Sequence, residues 1–140
     1  MAITNLLLLL TLFHLSNNQR IEGRKRLQKL VCIMKHEFNI PFNYDFKPYY
    51  YGPYSESLTE ATDTLIGLGY LKEEKERLGF GVSKYVYELT PSGKQKIELS
   101  LKNIKELDLE KIKEYIKDLE EKPTEELVLE SKQVSKLYNN

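Results

Sequence analysis

The amino-acid sequence predicts an α+β protein that is mostly helical, and three observations support that class. Several segments repeat their apolar residues at the three-to-four-residue spacing of an amphipathic helix. A β-hairpin is predicted from a strand that starts at Tyr70-Leu71-Lys72, a charged tip from Glu73 to Arg77 that leads into Gly79-Phe80-Gly81, and a second strand from Lys84 to Leu89. The 140 residues, 41% of them hydrophobic and 30% charged, suit one globular domain that needs neither a disulfide nor a metal to fold.

The first predicted helix runs from Ala2 to Ser16 and is rich in leucine. No Lys or Arg precedes the leucine run, and the run is shorter than the roughly 20 apolar residues that span a bilayer. We therefore expect a helix of the protein core rather than a targeting segment. Asn17-Asn18 then forms a turn, and a short extended link leads to Gly23.

The second predicted helix runs from Arg24 to Phe38. Its apolar stripe has the spacing of a helix packed on a core and consists of Leu27, Leu30, Val31, Met34 and Phe38. Successive residues of a helix are rotated by about 100°. We therefore expect the opposite face to be exposed to solvent, and it carries Lys25, Gln28, Lys29 and Cys32.

An extended aromatic insert is predicted between the second and third helices. Pro41 ends the helical pattern, and residues 42–47 alternate aromatic and polar side chains, as a strand or an extended arm does. Ser55 is a favourable N-cap for a third helix that ends at Gly69. The inward face of that helix is expected to contain Leu58, Ala61, Leu65 and Leu68.

Helical segments follow the hairpin. Thr90 is expected to cap a fourth helix, with Pro91 in its first turn. Asp108 is expected to cap a further helix, and a last short helix follows Pro123. Three helices, a two-stranded hairpin and another helix follow each other as in a winged helix-turn-helix. We therefore predict a winged-helix domain over residues 1–100 and a C-terminal helical extension over residues 101–140.

Two stretches resemble a known family. They are Gly23-Arg-Lys-Arg-Leu-Gln-Lys-Leu-Val31 and Phe46-Lys-Pro-Tyr-Tyr-Tyr-Gly-Pro-Tyr-Ser55, the second followed by a leucine-spaced helix and Leu68-Gly-Tyr-Leu71. Over about residues 2–100 the chain resembles the YwgA-like proteins of bacteria and archaea. Tyr87-Glu-Leu-Thr-Pro-Ser-Gly93 is similar to the junction between wing and helix in PadR-like regulators. The resemblance implies a winged-helix fold and a regulatory role, but no substrate or ligand.

Charge is unevenly distributed, although the chain is neutral overall. Residues 1–54 hold seven Lys and Arg against three Asp and Glu, whereas residues 55–140 hold fourteen against eighteen. A site for a polyanion is therefore expected in the first third of the chain. The cations that could contact phosphates there and in the hairpin are Arg20, Arg24, Lys25, Arg26, Lys29, Arg77 and Lys84.

These cations favour a DNA-binding transcriptional regulator that holds the DNA backbone mainly through the second helix and the hairpin. An ordinary solvated helix face, with cations paired to acids elsewhere, is the open alternative. The third helix argues against the usual docking in the major groove, because its outward face is acidic and no Lys or Arg occurs from Ser55 to Gly69.

The alternative function is a protein-interaction adaptor, either antitoxin-like or associated with a polymerase. The acidic face of the third helix would bind the partner together with a tyrosine-rich arm. The residues predicted for this surface are Glu56, Glu60, Asp63, Tyr49, Tyr51 and Tyr54. The tyrosine rings could also stack on unpaired bases, or most of them could pack beneath the third helix with their hydroxyls at the rim, and this packing is the interpretation that we favour.

The C-terminal apolar stripe predicts a homodimer. Its residues could form the subunit interface or, alternatively, cover the core of their own chain. They are Leu101, Ile104, Ile112, Ile116 and Leu119.

We expect no catalytic activity, no metal and no cofactor. The sequence lacks a phosphate-binding glycine loop and the usual hydrolase motifs. Cys32 and His36 stand four residues apart, but we regard this pair as incidental. A single cysteine and only two histidines give no zinc-ligand spacing, and they indicate a reducing, cytoplasmic compartment.

Overall fold

The computed structural model describes residues 4–138, and it confirms a mostly helical α+β fold. The helices are α1 (Asn5–Leu15), α2 (Arg24–His36), α3 (Glu56–Gly67), α4 (Pro91–Leu101), α5 (Leu109–Glu120) and α6 (Thr124–Ser135). The strands are β1 (Arg20–Glu22), β2 (Leu71–Gly79) and β3 (Val82–Leu89).

The three strands form one antiparallel sheet in the order β1-β3-β2. The predicted hairpin is confirmed, and its register pairs Leu71 with Leu89. Its turn places Phe80 at a φ of 53° between two glycines, as a tight reversal requires. The prediction that Glu73 to Arg77 form a charged tip is wrong, because these residues pair with β3 as part of β2. The strand β1 pairs with the other side of β3 and sets Arg20 opposite Glu88. This third strand lies in the segment that the sequence predicts as an extended link.

Helix α1 lies in the core, as predicted. Every side chain from Leu8 to Phe13 is buried, and Thr4 caps the helix by accepting a hydrogen bond from the backbone N–H of Leu7. The predicted first residue, Ala2, lies outside the described residues. Of the helices within residues 4–138, none combines the length and the apolar content needed to cross a bilayer.

The solvent face predicted for α2 is wrong at three of its four residues. Gln28, Lys29 and Cys32 are all buried, and only Lys25 is exposed. The reason is that α2 is covered on two sides. Its apolar stripe faces the core, while α6 and residues 49–54 pack over the face that the periodicity assigns to solvent.

The aromatic insert is extended but is not a strand. Phe42, Tyr44 and Phe46 are buried while the residues between them are exposed, which confirms the predicted alternation. A single β-bridge joins Lys47 to Tyr54. In α3, the predicted cap Ser55 is confirmed, but Leu68 is exposed because it lies one residue beyond the last residue of the helix.

The C-terminal helices pack against the first half of the chain. Helix α6 lies along α2, and α5 contacts both α1 and α2. Most of the residues predicted for a dimer interface are therefore buried within their own chain, namely Ile104, Ile112, Ile116 and Leu119, while Leu101 is half-buried. Their packing corresponds to the covering role that the sequence leaves open, and a dimer, if formed, would need another surface.

Gly93, in the first turn of α4, lies close to the backbone of Tyr70, and a substitution there tests how α4 is joined to the end of β3. A Cβ at this position would lie 2.1 Å from the backbone oxygen of Tyr70, so Gly93→Ala must push two backbone segments apart. We expect it to lower the free energy of unfolding by about 1–3 kcal/mol, measured by urea denaturation. Gly67→Ala is the matched helical control, because nothing lies within 4 Å of its Cβ. It should be neutral or stabilising by up to about 1 kcal/mol. Equal effects of the two substitutions would contradict the contact.

Candidate interaction surface

Two of the predicted phosphate-binding cations are neutralised on the sheet. Arg20 lies within 4 Å of three carboxylates, those of Glu22 (3.9 Å), Glu76 (3.2 Å) and Glu88 (3.9 Å). Lys84 pairs with two of the same carboxylates, those of Glu22 and Glu76. The strand register brings these charges together, since Arg20 is opposite Glu88 and Glu76 is opposite Lys84.

Arg24, at the start of α2, is held against the hairpin. Its guanidinium carbon lies 3.7 Å from the centroid of the Tyr85 ring, and its Nε donates to the hydroxyl of Tyr87 at 3.1 Å. One of its terminal nitrogens lies 3.7 Å from the carboxylate of Glu73. The side chain is exposed, but its charge already has an anionic partner within the chain.

Arg26 forms hydrogen bonds with residues at the end of α5 and the start of α6. Its guanidinium donates to the backbone oxygen of Glu120 at 3.0 Å and to the hydroxyl of Thr124 at 3.3 Å. A cation at a helix C-terminus satisfies carbonyl groups that have no partner within the helix. Arg26 therefore joins the end of α5 and the start of α6 to α2.

Lys29 is buried beneath residues 49–54, which we call the tyrosine arm. Its ammonium donates to the backbone oxygen of Pro53 at 2.8 Å, and its side chain is packed under Gly52. A Cβ on Gly52 would lie 2.9 Å from the Lys29 side chain, and the φ of +103° also favours glycine at this position. Burial lowers the pKa of Lys29 to about 8.

Of the seven predicted cations, Lys25 and Arg77 are exposed and have none of the salt bridges or hydrogen bonds described above for the other five. Within residues 4–138, neither Lys25 nor Arg77 forms a salt bridge. The Lys25 ammonium lies 4.5 Å from the centroid of the Tyr51 ring, and Arg77 lies near the end of β2. They belong to separate elements, α2 and β2, and the other five predicted cations are engaged by partners within the chain.

The acidic residues of α3 differ from most of the predicted cations, because they are exposed and have no oppositely charged partner among the described residues. Glu56, Glu60 and Asp63 are all exposed, and none of them forms a salt bridge with another described residue. We call these three residues the acidic face. Its charge is therefore available to an external partner.

The tyrosine arm presents three exposed rings, and one of them, Tyr49, lines a concavity together with Glu56 and Glu60 of the acidic face. Tyr49, Tyr50 and Tyr51 are 47%, 84% and 61% exposed, so the favoured interpretation, that the rings are packed beneath the third helix, is wrong for them. Tyr54 is half-buried, and its hydroxyl lies 2.8 Å from that of Thr59 on α3. The arm is held from the C-terminus as well, because the Tyr138 hydroxyl accepts from the N–H of Tyr49 and donates to its carbonyl oxygen.

Three concavities meet at Tyr54. The largest, of about 430 Å³, lies between the arm and α2 and is walled by Tyr50, Tyr51 and Lys25. A second, of about 270 Å³, lies between the arm and the acidic face, and a third, of about 180 Å³, lies between α2, α3 and the hairpin. The predicted protein-interaction residues therefore form one continuous surface.

Two residues of this surface have no recognisable signal in the sequence. The amide of Gln28 forms hydrogen bonds with both backbone groups of Ser55, although helical periodicity assigns Gln28 to solvent. Tyr138 is predicted at the end of the last helix, whereas it lies beyond α6 and contacts a residue 89 positions earlier. Only the tertiary structure shows these contacts.

The pair of Cys32 and His36 does not provide a reactive thiol. Cys32 is fully buried, and burial raises the pKa of its thiol to about 12, so the sulfur stays protonated at neutral pH. Within residues 4–138, no three His, Cys, Asp or Glu side chains are grouped as a metal site requires.

Comparison with known proteins finds a relative that is similar over most of this chain. The chain is 41% identical over 103 residues to the uncharacterized protein YwgA of Bacillus subtilis (strain 168). The match supports the predicted YwgA-like family. The aligned region covers 72% of this chain but 57% of the relative, so the chain spans little more than half of that protein's length. No family model matches the chain.

The buried Lys29 predicts an unusual pH dependence of stability. Its pKa is about 8 in the folded chain and returns towards the ordinary 10.5 on unfolding. Between these values the unfolded chain binds more protons, so the free energy of unfolding rises with pH. Relative to Lys29→Met, the wild type should gain up to about 1.4 kcal/mol between pH 8 and pH 9. Urea denaturation measures this gain, and Lys25→Met, at an exposed position, should behave like the wild type. A pH-independent difference would contradict the burial.

Proposed function

We propose that this protein is a winged-helix adaptor that binds another protein through its tyrosine arm and acidic face. The observation that carries the proposal is which charged side chains have partners within the chain and which do not. Five of the seven cations predicted for DNA are engaged within the chain, whereas the three carboxylates of the acidic face are exposed and unpaired among the described residues.

The winged-helix part of the proposal is supported by the order of the elements. Helix α1, strand β1, helices α2 and α3 and then the β2–β3 hairpin follow each other along the chain. The hairpin corresponds to the wing, and α3 corresponds to the recognition helix. In this interpretation the recognition position carries carboxylates, which phosphates repel and a basic protein surface attracts.

The tyrosine arm supports a protein partner for a different reason. Tyrosine is enriched at the centre of protein interfaces, because its ring buries a large apolar area while its hydroxyl tolerates water. Three exposed rings beside a concavity of about 430 Å³ provide such a contact area. Hydrogen bonds from Lys29 and Tyr138 hold the arm in place before a partner arrives, which reduces the entropic cost of binding.

Charge reversal tests the adaptor proposal. The protein should first be used to capture partners from nuclease-treated extracts of its source cells, with mass spectrometry for identification. The binding of a purified partner should then weaken at least tenfold in the variant Glu56→Lys, Glu60→Lys, Asp63→Lys, measured by calorimetry. Opposing charges at an interface are expected to steer and hold the partner, and reversal replaces attraction with repulsion.

The matched control reverses three exposed acids on α5, with Glu110→Lys, Glu114→Lys and Asp118→Lys. It produces the same change in net charge on a different surface and should leave partner binding within about twofold. Equal weakening by both variants would indicate a general electrostatic effect and contradict the assigned surface. Loss of capture after nuclease treatment would contradict a direct protein partner.

DNA binding remains a second candidate function, and the two exposed cations favour it. Lys25 at the start of α2 and Arg77 in the hairpin could each contact a phosphate. If they do, Lys25→Ala with Arg77→Ala should weaken binding to all duplex sequences about equally. It should also reduce the slope of log affinity against log salt by about 2 in gel-shift titrations.

Lys94→Ala with Lys96→Ala is the control, since both residues are exposed on α4. If the wild type binds no duplex DNA at low salt, this second candidate is eliminated.

A further inference from the structure

We propose that the concavity between the tyrosine arm and the acidic face binds a single side-chain cation of the partner, the guanidinium of an arginine or the ammonium of a lysine. The inference rests on the proposed function and specifies which chemistry the partner presents. The cavity has a volume of about 270 Å³ and is lined by Asp45, Lys47, Tyr49, Tyr54, Glu56, Ser57 and Glu60.

Two aromatic rings form a corner of this cavity. The centroids of Tyr49 and Tyr54 lie 5.4 Å apart and their planes meet at 75°, so the rings stand as two nearly perpendicular walls. The face of an aromatic ring carries partial negative charge and attracts a cation placed over it. Perpendicular rings allow one cation to contact both, as aromatic cages for alkylated ammonium groups do.

Three carboxylates complete the lining, and each of them is available. Asp45, Glu56 and Glu60 are exposed and form no salt bridge within residues 4–138. The described His, Cys, Asp and Glu side chains are not grouped closely enough to hold a metal ion. Carboxylates that are spread around aromatic walls instead suit a larger organic cation, whose charge several acceptors can share.

The walls of the cavity are fixed by short-range contacts. Lys47 and Tyr54 exchange two backbone hydrogen bonds of 2.9 and 3.0 Å. The Tyr54 hydroxyl lies 2.8 Å from that of Thr59, and the N–H of Asp45 donates to the hydroxyl of Ser57 at 3.5 Å. The arm, the insert and the first turns of α3 therefore hold the two rings and three carboxylates in one arrangement.

Lys47 is the one cation in the lining, and it gives the inference a second consequence. Its side chain is exposed and forms no salt bridge with the neighbouring carboxylates. A partner cation must enter beside this resident positive charge. Removing the charge should therefore strengthen binding, whereas removing a carboxylate should weaken it.

The test uses N-acetyl-argininamide as the probe and N-acetyl-citrullinamide as its neutral counterpart of nearly the same shape. Each is titrated into the ¹⁵N-labelled full chain and followed by two-dimensional NMR. We expect saturable shifts for residues 45–60 with the arginine probe and no saturable shifts with the citrulline probe. N-acetyl-lysinamide is the third probe, and saturation at the same residues would show that the site accepts an ammonium.

Substitutions of residues that line the cavity test whether the probe binds there. Glu56→Gln and Glu60→Gln should each weaken the arginine probe about threefold, and Lys47→Ala should strengthen it by a similar factor. The control is Glu114→Gln on α5, which should leave probe binding unchanged. The same NMR spectra report whether each variant is folded.

Equal shifts with arginine and citrulline probes, or no saturable shift with either cationic probe, would overturn the cation site. The adaptor proposal would survive that outcome if charge reversal on α3 still prevented partner capture. Conversely, saturable binding of the arginine probe together with partner capture that ignores charge reversal would support the cation site and contradict the adaptor surface.

Discussion

The position of the whole candidate surface depends on the side chain of Gln28. Its amide nitrogen donates to the carbonyl oxygen of Ser55 at 3.0 Å, and its amide oxygen accepts from the N–H of the same residue at 2.8 Å. Both groups are buried, so losing this pair would leave polar atoms unsatisfied, at about 1–3 kcal/mol for each. Ser55 in turn caps α3. One amide therefore fixes where α3 starts relative to α2, and with it the acidic face.

Local signals predict the elements of this fold well. Ser55, Thr90 and Asp108 all cap the helices that the sequence assigns to them, because capping requires only a side-chain oxygen and the next three residues. The burial of α2 was predicted less well. Periodicity detects one apolar stripe, but α2 is also covered by segments that lie far away in the sequence, so Lys29 and Cys32 are buried on the side assigned to solvent.

The basic cluster shows why charge along the sequence does not predict charge on the surface. Arg20 pairs with Glu76, 56 positions later, and Lys84 pairs with Glu22, 62 positions earlier. The register of the sheet determines these partners, and the sequence contains no local signal for register across three strands. The acidic face is different, because no cation occurs within α3 and no described cation, including the nearby Lys47, forms a salt bridge with its three carboxylates. Its prediction as an exposed surface therefore succeeded.

The net charge of the whole chain is zero, and this number does not show that many cations are paired while the carboxylates of α3 are not. Equal numbers of cations and anions would leave no net field if all were paired alike. Here the cations of the first third are largely engaged by bonds within the chain, to the sheet, α5 and the arm. The carboxylates of α3 stabilise no described contact, yet they border an arm whose Tyr49 is bonded on both backbone groups to Tyr138. Unpaired charge beside exposed rings is the combination on which the proposed binding of a protein partner rests.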